Sequence, residues 1–262
     1  MTAPAVAARD ATTMLWRELK HTLRYPMILI ASILTPVVFL LLFVYIFGGP
    51  IGHGLGEGTR GAPFVDFLAP GILMMTVAAG SSTTAINVCT DMTGGIIDRF
   101  RTMAVTRGAV LSGHVSSNVL RTLFTTTLVT GVALLAGFRP RASVADWFAV
   151  AGLVAAFAFA LAWLSVAFGL VAKTVAGANS LTLPILFLLP FLSSAFVPAA
   201  SMPAGVRWFT AHQPFTPVVD SLRALLAGAP AGHTTYLALA WCAAIALAGY
   251  LWATAAFRRG TR

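Results

Sequence analysis

Apolar residues in this chain form long runs that charged residues interrupt only at intervals. A charge-free run of about 21 residues extends from Met27 to Phe47, and runs of similar character follow along the chain. A helix needs about 20 apolar residues to cross the hydrocarbon core of a bilayer, where its backbone groups must bond within the helix itself. The pattern therefore predicts an all-α integral membrane protein.

We expect six transmembrane helices. Their predicted limits are Met27–Phe47, Phe67–Cys89, Val119–Gly137, Trp147–Ala172, Leu181–Phe196 and Tyr236–Phe257. The third is the least sharply bounded, because His114, Asn118 and Arg121 precede its uninterrupted apolar run. The fifth is short, and its residues Pro184 and Pro190 each remove a backbone hydrogen bond and favour a kink.

Shorter helices are predicted outside these spans. Before the first span, leucines and cations fall on separate helical stripes, which is typical of an amphipathic helix at the membrane surface. The candidate residues of this interfacial helix are Leu15, Trp16, Arg17, Leu19 and Lys20. Between the fifth and sixth spans, Met202–Phe209 and Pro217–Leu226 predict two short helices, the second with Thr216 as N-cap and Gly228 after its end.

Composition excludes a water-soluble domain. The chain has 58% hydrophobic and only 10% charged residues, whereas soluble domains average about a quarter charged residues. Its net charge of +9 comes from single basic residues between apolar runs, so we interpret them as topology signals and expect no nucleic-acid partner. With the N-terminus inside, 12 Lys and Arg residues are cytoplasmic and 5 lie on the far side.

This charge bias predicts a plasma-membrane protein with both termini in the cytoplasm. The pair Arg139 and Arg141 is the main departure from the rule among the five far-side cations.

Several kinds of chemistry lack their usual residues. None of the eight acidic residues falls in the middle of a predicted span, which argues against proton or sodium coupling within this chain. The glycine-rich phosphate loop of ATPases is missing from the sequence, as are the spacings typical of metal ligands and of nucleophilic triads. If ATP drives this protein, we expect a different chain to bind it.

The most charged stretch lies between the second and third predicted spans. Ile96–Val105 can form a short helix with Ile97, Phe100 and Met103 on one face, while Asp98, Arg99 and Arg101 project from the remainder. Such a helix could dock into a cleft on a cytoplasmic partner. An ordinary positively charged cytoplasmic loop explains the same residues equally well.

Three segments in their order along the chain resemble the ABC-2 permease family, and within it the daunorubicin-resistance type. They are DRFR between spans two and three, then FLSSAFVPAASMP, and then HQPFTPVVDSLRALLAG before the last span. The resemblance covers nearly the whole chain and implies a single permease domain over residues 1–262. It also implies extracellular re-entrant short helices between spans five and six.

The resemblance further implies partners and a coupling site. In such a permease a cytoplasmic coupling helix contacts the ATP-binding subunit, and here its residues are Ile97, Asp98, Arg99, Phe100, Arg101 and Met103. A second copy or a paralogue completes a dimer in membrane lipid. ATP and Mg²⁺ belong to the ATP-binding subunit, and this chain itself holds no cofactor. The expected activity is export of a hydrophobic or amphiphilic compound.

Aromatic and methionine side chains are candidates for an apolar substrate path, because they adapt to greasy molecules of variable shape. The candidates are Phe39, Phe43, Met74, Met75, Phe187 and Phe191. Helix packing or lipid contact is the alternative for each of them. Two other functions stay open at this point: a structural or regulatory membrane subunit without a transport path, and an intramembrane enzyme.

Overall fold

The computed structural model describes residues 26–47, 64–94, 107–230 and 232–259 of the chain. Within these ranges the protein is helical and contains no strand. Its α-helices are α1 (Pro26–Leu41), α2 (Phe64–Thr93), α3 (Arg107–Leu135), α4 (Val144–Val171), α5 (Val175–Phe191), α6 (Ala204–His212), α7 (Phe215–Leu226) and α8 (His233–Arg259). A π-helical turn, Leu42–Phe47, continues α1, and a short 3₁₀ turn, Ala199–Ser201, precedes α6.

Four of the helices are long and apolar enough to cross a membrane. These segments are Phe64–Thr93, Leu111–Leu135, Val144–Val171 and His233–Phe257, and they confirm helices of spanning length at the second, third, fourth and sixth predicted positions. The first and fifth positions hold the shorter apolar helices Ile33–Ile46 and Val175–Phe191.

The two central helices are α2 and α4. The helix α2 packs against α1, α3, α4, α5 and α7, and α4 packs against α2, α3, α5, α7 and α8. Their facing positions carry small side chains, and a Cβ added at Gly169 of α4 would lie only 2.6 Å from the carbonyl oxygen of Ala85 in α2. Glycine is therefore required at position 169 for this close approach.

The third helix begins earlier than the sequence suggested. We expected its membrane portion to start near Val119, but α3 starts at Arg107. His114, Asn118 and Arg121 belong to this continuous helix, where their side chains bond to α2. The prediction was wrong because it took these polar residues to mark the end of the apolar span. In the structure, α2 supplies hydrogen-bonding and ionic partners for their side chains.

The fifth helix is displaced toward the N-terminus relative to the prediction of Leu181–Phe196. It runs from Val175 to Phe191, because the Thr174 side chain caps it by accepting a hydrogen bond from the Gly177 amide. The polar turn expected at Lys173–Ser180 is correspondingly shorter. At the other end, the Ser193 hydroxyl donates to the carbonyl of Pro190, and the residues after Phe191 form turns.

Two short helices lie between α5 and α8, as predicted. The N-cap assignment of Thr216 was wrong, since α7 begins at Phe215 and the Thr216 hydroxyl oxygen instead accepts from the Ser194 amide at 3.4 Å. The position of Gly228 after the helix is confirmed. Its φ of +74° suits glycine, and the Arg141 carbonyl oxygen would be 2.8 Å from an added Cβ.

Candidate functional site

Four phenylalanine rings meet where α1 approaches the end of α5. Phe39 and Phe43 lie one turn apart, with ring centroids 6.4 Å from each other, and Phe39 contacts Phe191 edge-on at 6.3 Å. Phe196, in the turn after α5, stacks on Phe191 at 4.7 Å and lies 5.1 Å from Phe43. The first three are only partly buried, so this aromatic cluster presents an apolar surface.

The structure thus brings together three of the six residues predicted for a substrate path. Met74 and Met75 lie elsewhere, completely buried in the core on α2. Phe187 falls within α5. Phe196 is an aromatic member that we did not predict, although its spacing of five residues from Phe191 was visible in the sequence.

A buried polar seam joins α2 to α3. We define it by His114, Asn118 and Arg121 of α3 with Gly80, Thr84 and Asp91 of α2. The Asn118 side-chain amide donates to the Gly80 carbonyl at 2.8 Å and to the Thr84 hydroxyl oxygen at 2.7 Å. Arg121 donates to the same carbonyl at 3.1 Å. One backbone oxygen of α2 therefore accepts from two side chains of α3.

The seam continues toward the end of α2. His114 Nε2 lies 3.2 Å from Asp91 Oδ2, and both side chains are largely buried. Asp91 is in the last turn of α2, while α3 begins only seven residues before His114. The pair thus ties together the two helices that flank residues 95–106.

The sequence carried a signal for this seam that we did not use. His114, Asn118 and Arg121 are spaced four and three residues apart, which places them on one face of a helix. Polar residues are costly within a membrane and almost always face the protein interior. The shared face of these three residues therefore indicates that this side of the helix contacts another helix.

A second polar group, the arginine cluster, lies near the start of α2. We define it by Arg223 and Asp220 of α7, Ser194 of the turn after α5 and Phe67 of α2. Arg223 donates to Asp220 at 2.8 Å and to the carbonyl oxygens of Ser194 and Phe67 at 3.0 and 3.3 Å. Its guanidinium carbon also lies 4.2 Å from the centroid of the Phe67 ring.

Burial lowers the pKa of the Arg223 guanidinium, and the adjacent Asp220 carboxylate acts in the opposite direction. Arginine nevertheless remains protonated at neutral pH because its pKa starts so high. The Ser194 hydroxyl donates to Asp220 at 2.8 Å and completes the group. The cluster therefore fixes α7 to α2 through a permanent charge whose partners are mostly backbone oxygens.

Two groups of predicted residues lie outside the residues that the structure describes. They are the coupling residues Ile97, Asp98, Arg99, Phe100, Arg101 and Met103, and the interfacial-helix residues Leu15, Trp16, Arg17, Leu19 and Lys20. Their roles stay predictions.

Comparison with known proteins gives a consistent result. Residues 9–227 match the family model described as ABC-2 type transporter. The chain is 28% identical, over 86% of its length and 78% of the relative's, to the daunorubicin resistance ABC transporter permease protein DrrB1 of Streptomyces coeruleorubidus. It is 25% identical, over 82% of its length and 76% of the relative's, to the probable doxorubicin resistance ABC transporter permease protein DrrC of Mycobacterium tuberculosis. The inner membrane transport permease YadH of Escherichia coli is 25% identical, with 81% of each chain covered.

Proposed function

Because this chain belongs to the ABC-2 type transporter family, we propose that it is the permease subunit of an ATP-driven exporter. In this proposal a separate subunit binds and hydrolyses ATP with Mg²⁺, and the chain moves a hydrophobic or amphiphilic compound out of the cytoplasm or inner leaflet. The family match over residues 9–227 is the observation that carries the proposal. The drug-resistance names of two relatives support an amphiphilic substrate.

The proposed topology has six spans and cytoplasmic termini. The charge bias of the sequence supports the orientation. In this arrangement α6 and α7 form a re-entrant pair on the far side. They contain 9 and 12 residues, and helices of that length are too short to cross the membrane. Val218, Val219 and Leu222 of α7 are fully buried. Their burial supports the proposal that α7 packs into the protein instead of lying on its surface.

The coupling site of the proposal is the segment Ile96–Val105 between α2 and α3. Motion of a docked loop reaches the membrane only if the helices on both sides of it are mechanically connected. The polar seam supports such a connection, because the Asp91–His114 pair joins α2 and α3 near their loop ends and the Asn118 amide joins them closer to their middle. We propose that the α2–α3 hairpin moves as the element that transmits ATP-driven motion.

The substrate path of the proposal runs beside the aromatic cluster. Phe39, Phe43 and Phe191 present half-buried rings there, and such rings can restack around ligands of different shape. In a dimer with a second copy or a paralogue, we place this surface toward the partner. The path would then be completed only in the assembly.

Two loop variants test the proposed function. Phe100→Ala removes a large apolar anchor, and truncating an anchor of this kind costs roughly 2 kcal/mol or more in binding when it lies at the centre of an interface. Arg101→Glu reverses a charge that we expect to face an acidic cleft. We expect both variants to reach normal membrane abundance but to recruit less ATPase subunit and to export less compound. The measurements are pull-down, ATPase activity and export on matched membrane preparations.

Arg207→Glu is the matched control, since it makes the same charge change in the exposed helix α6 on the proposed far side. It should leave recruitment and export unchanged. If Phe100→Ala and Arg101→Glu recruit the ATPase as well as the wild type does, the coupling assignment is wrong. The segment is then an ordinary positively charged loop.

A further inference from the structure

An open groove of about 350 Å³ lies between α2, α3 and α4. Leu123, Gly131 and Leu134 of α3 form one wall, and Trp147 and Ala151 of α4 form the other. It is separate from the aromatic cluster on α1 and α5. Gly131, Leu134 and Ala151 are exposed, so the groove opens on the outer surface of the helix bundle.

The groove is apolar despite its threonines. The hydroxyls of Thr126, Thr127 and Thr130 donate to the carbonyl oxygens four residues earlier in α3, at 2.8, 2.8 and 2.7 Å. Each hydroxyl hydrogen is therefore already used within the helix. A Cβ added at Gly131 would meet no atom within 4 Å, so there is open space beside this glycine.

The length of the groove matches one half of a bilayer. Eleven residues separate Leu123 from Leu134, and at 1.5 Å per residue they cover about 16 Å of helix. The hydrocarbon core is roughly 30 Å thick, so one leaflet contributes roughly 15 Å. An extended acyl chain from a single leaflet fits this length.

A cation is held at one end of the groove. The Arg139 guanidinium donates to the carbonyl oxygen of Leu134, the last lining residue of α3, at 2.9 Å and to that of Phe138 at 3.0 Å. Arg141 follows in the same α3–α4 connection, and both arginines are exposed. This pair is the main departure from the positive-inside rule in the predicted topology.

The acidic groups nearby are engaged with the backbone. Asp146 accepts from both the amide and the hydroxyl of Ser143 in the cap of α4, and Asp66 accepts from the Arg139 amide. Both carboxylates keep their charge but are oriented toward these donors, whereas the side chains of Arg139 and Arg141 are exposed.

We propose that this groove binds one acyl chain of an anionic phospholipid and that Arg139 and Arg141 contact its phosphate. The chain lies along α3 from Leu134 toward Leu123, and the headgroup lies beside the α3–α4 connection. This site is independent of the transported compound and of the ATP-binding subunit.

Native mass spectrometry of the purified full-length chain tests the site, with phosphatidylglycerol and phosphatidylcholine as probes. We expect the wild type to prefer phosphatidylglycerol. Because each cation near a membrane surface contributes a factor of roughly 5 in binding anionic lipid, Arg139→Gln with Arg141→Gln should weaken phosphatidylglycerol binding roughly 30-fold. Phosphatidylcholine, whose choline offsets the charge of its phosphate, should be weakened much less. Gly131→Leu should fill the groove and weaken binding of both lipids.

The chain provides a matched control for each change. Arg207→Gln removes an exposed cation from α6, and Gly152→Leu adds the same side chain at an exposed glycine of α4 with no atom within 4 Å. Thermal unfolding checks that all variants are folded. Unchanged lipid preference after removal of both arginines would overturn the proposal, as would equal binding by the Gly131 and Gly152 variants. A change of oligomeric state in Gly131→Leu without loss of lipid would also overturn it and would assign the groove to a second copy of the chain.

Discussion

The helix α2 contacts its two long neighbours in opposite ways. Against α3 it uses the polar seam, in which one side-chain amide, a guanidinium and an imidazole of α3 bond to α2. Against α4 it uses small residues: Gly169 fits against Ala85 and Val88, and Ser165 and Ala162 lie on the same face of α4. We name this second contact the small-residue seam.

The two contacts of α2 differ in the kind of interaction that holds the helices together. Lipid tails are as apolar as leucine side chains, so helices in a membrane associate through close packing and interhelical hydrogen bonds rather than through the hydrophobic effect. The spanning windows of α2 and α4 are 72% and 61% buried, whereas that of α3 is 33% buried. The helices α2 and α4 therefore form the buried centre of the bundle, and the less buried α3 is joined to α2 through the hydrogen bonds of the polar seam.

The largest expected effect comes from breaking the small-residue seam. Gly169→Leu places a side chain where even a Cβ would lie 2.6 Å from the Ala85 carbonyl oxygen, so α2 and α4 must separate. Overpacking of this kind costs on the order of 3 kcal/mol. We expect a strong loss of folded protein in a thermal unfolding assay in detergent. Gly152→Leu on the same helix should be nearly neutral, and equal stability of the two variants would contradict the close contact.

A smaller effect on stability is expected at the polar seam. Asn118→Leu keeps a buried side chain of similar size but removes both hydrogen bonds to α2. Interhelical hydrogen bonds in membranes contribute about 0.6 kcal/mol on average and up to about 1.7 kcal/mol, so stability should fall by about 1 kcal/mol.

Transport per ATP hydrolysed should fall more than this stability loss implies, because α2 and α3 would no longer move together. The measurement is export and ATPase activity on the same reconstituted sample. Thr127→Val is the control, since this exposed hydroxyl bonds only within α3. An unchanged ratio of export to hydrolysis in Asn118→Leu would limit the polar seam to a structural role.

The smallest effect is expected at Ser165. Its hydroxyl oxygen is buried on the small-residue face of α4 and makes no hydrogen bond within the described part of the chain. Removing a buried, unsatisfied hydroxyl is neutral or stabilising, so Ser165→Ala should change stability by less than about 1 kcal/mol, upward if at all. A clear loss of thermal stability would mean that this hydroxyl has a partner.

How well the sequence predicted the fold depended on the kind of signal. Apolar runs identified α2, α4 and α8 because lipid and core both favour apolar residues over a length fixed by the bilayer. The start of α3 was missed because polar residues such as His114 and Asn118 are typical of a loop when the helix that they contact is not known. The position of α5 was missed because the cap at Thr174 outweighs the polar residues that follow it.

The candidate site was less predictable than the fold. Aromatic residues can be found by composition, but only the folded chain separates the partly exposed rings of Phe39 and Phe191 from the buried side chains of Met74 and Met75. The contacts between helices in the polar seam and the arginine cluster join residues from 23 positions apart, for Asp91 and His114, to 156 positions apart, for Phe67 and Arg223. The common face of His114, Asn118 and Arg121 signals a helix contact, but a single sequence does not identify the helix that they contact.

The central claim is that this chain is a permease that works with an ATP-binding subunit, and purification of the intact complex tests it most directly. The tagged chain would be isolated in mild detergent from its own membranes and assayed for co-purifying protein and for ATP hydrolysis. We predict a stoichiometric ATP-binding subunit and ATPase activity that falls when Phe100 is replaced by alanine but not when Arg207 is changed. Recovery of the folded chain without any ATP-binding protein and without ATPase activity would contradict the account.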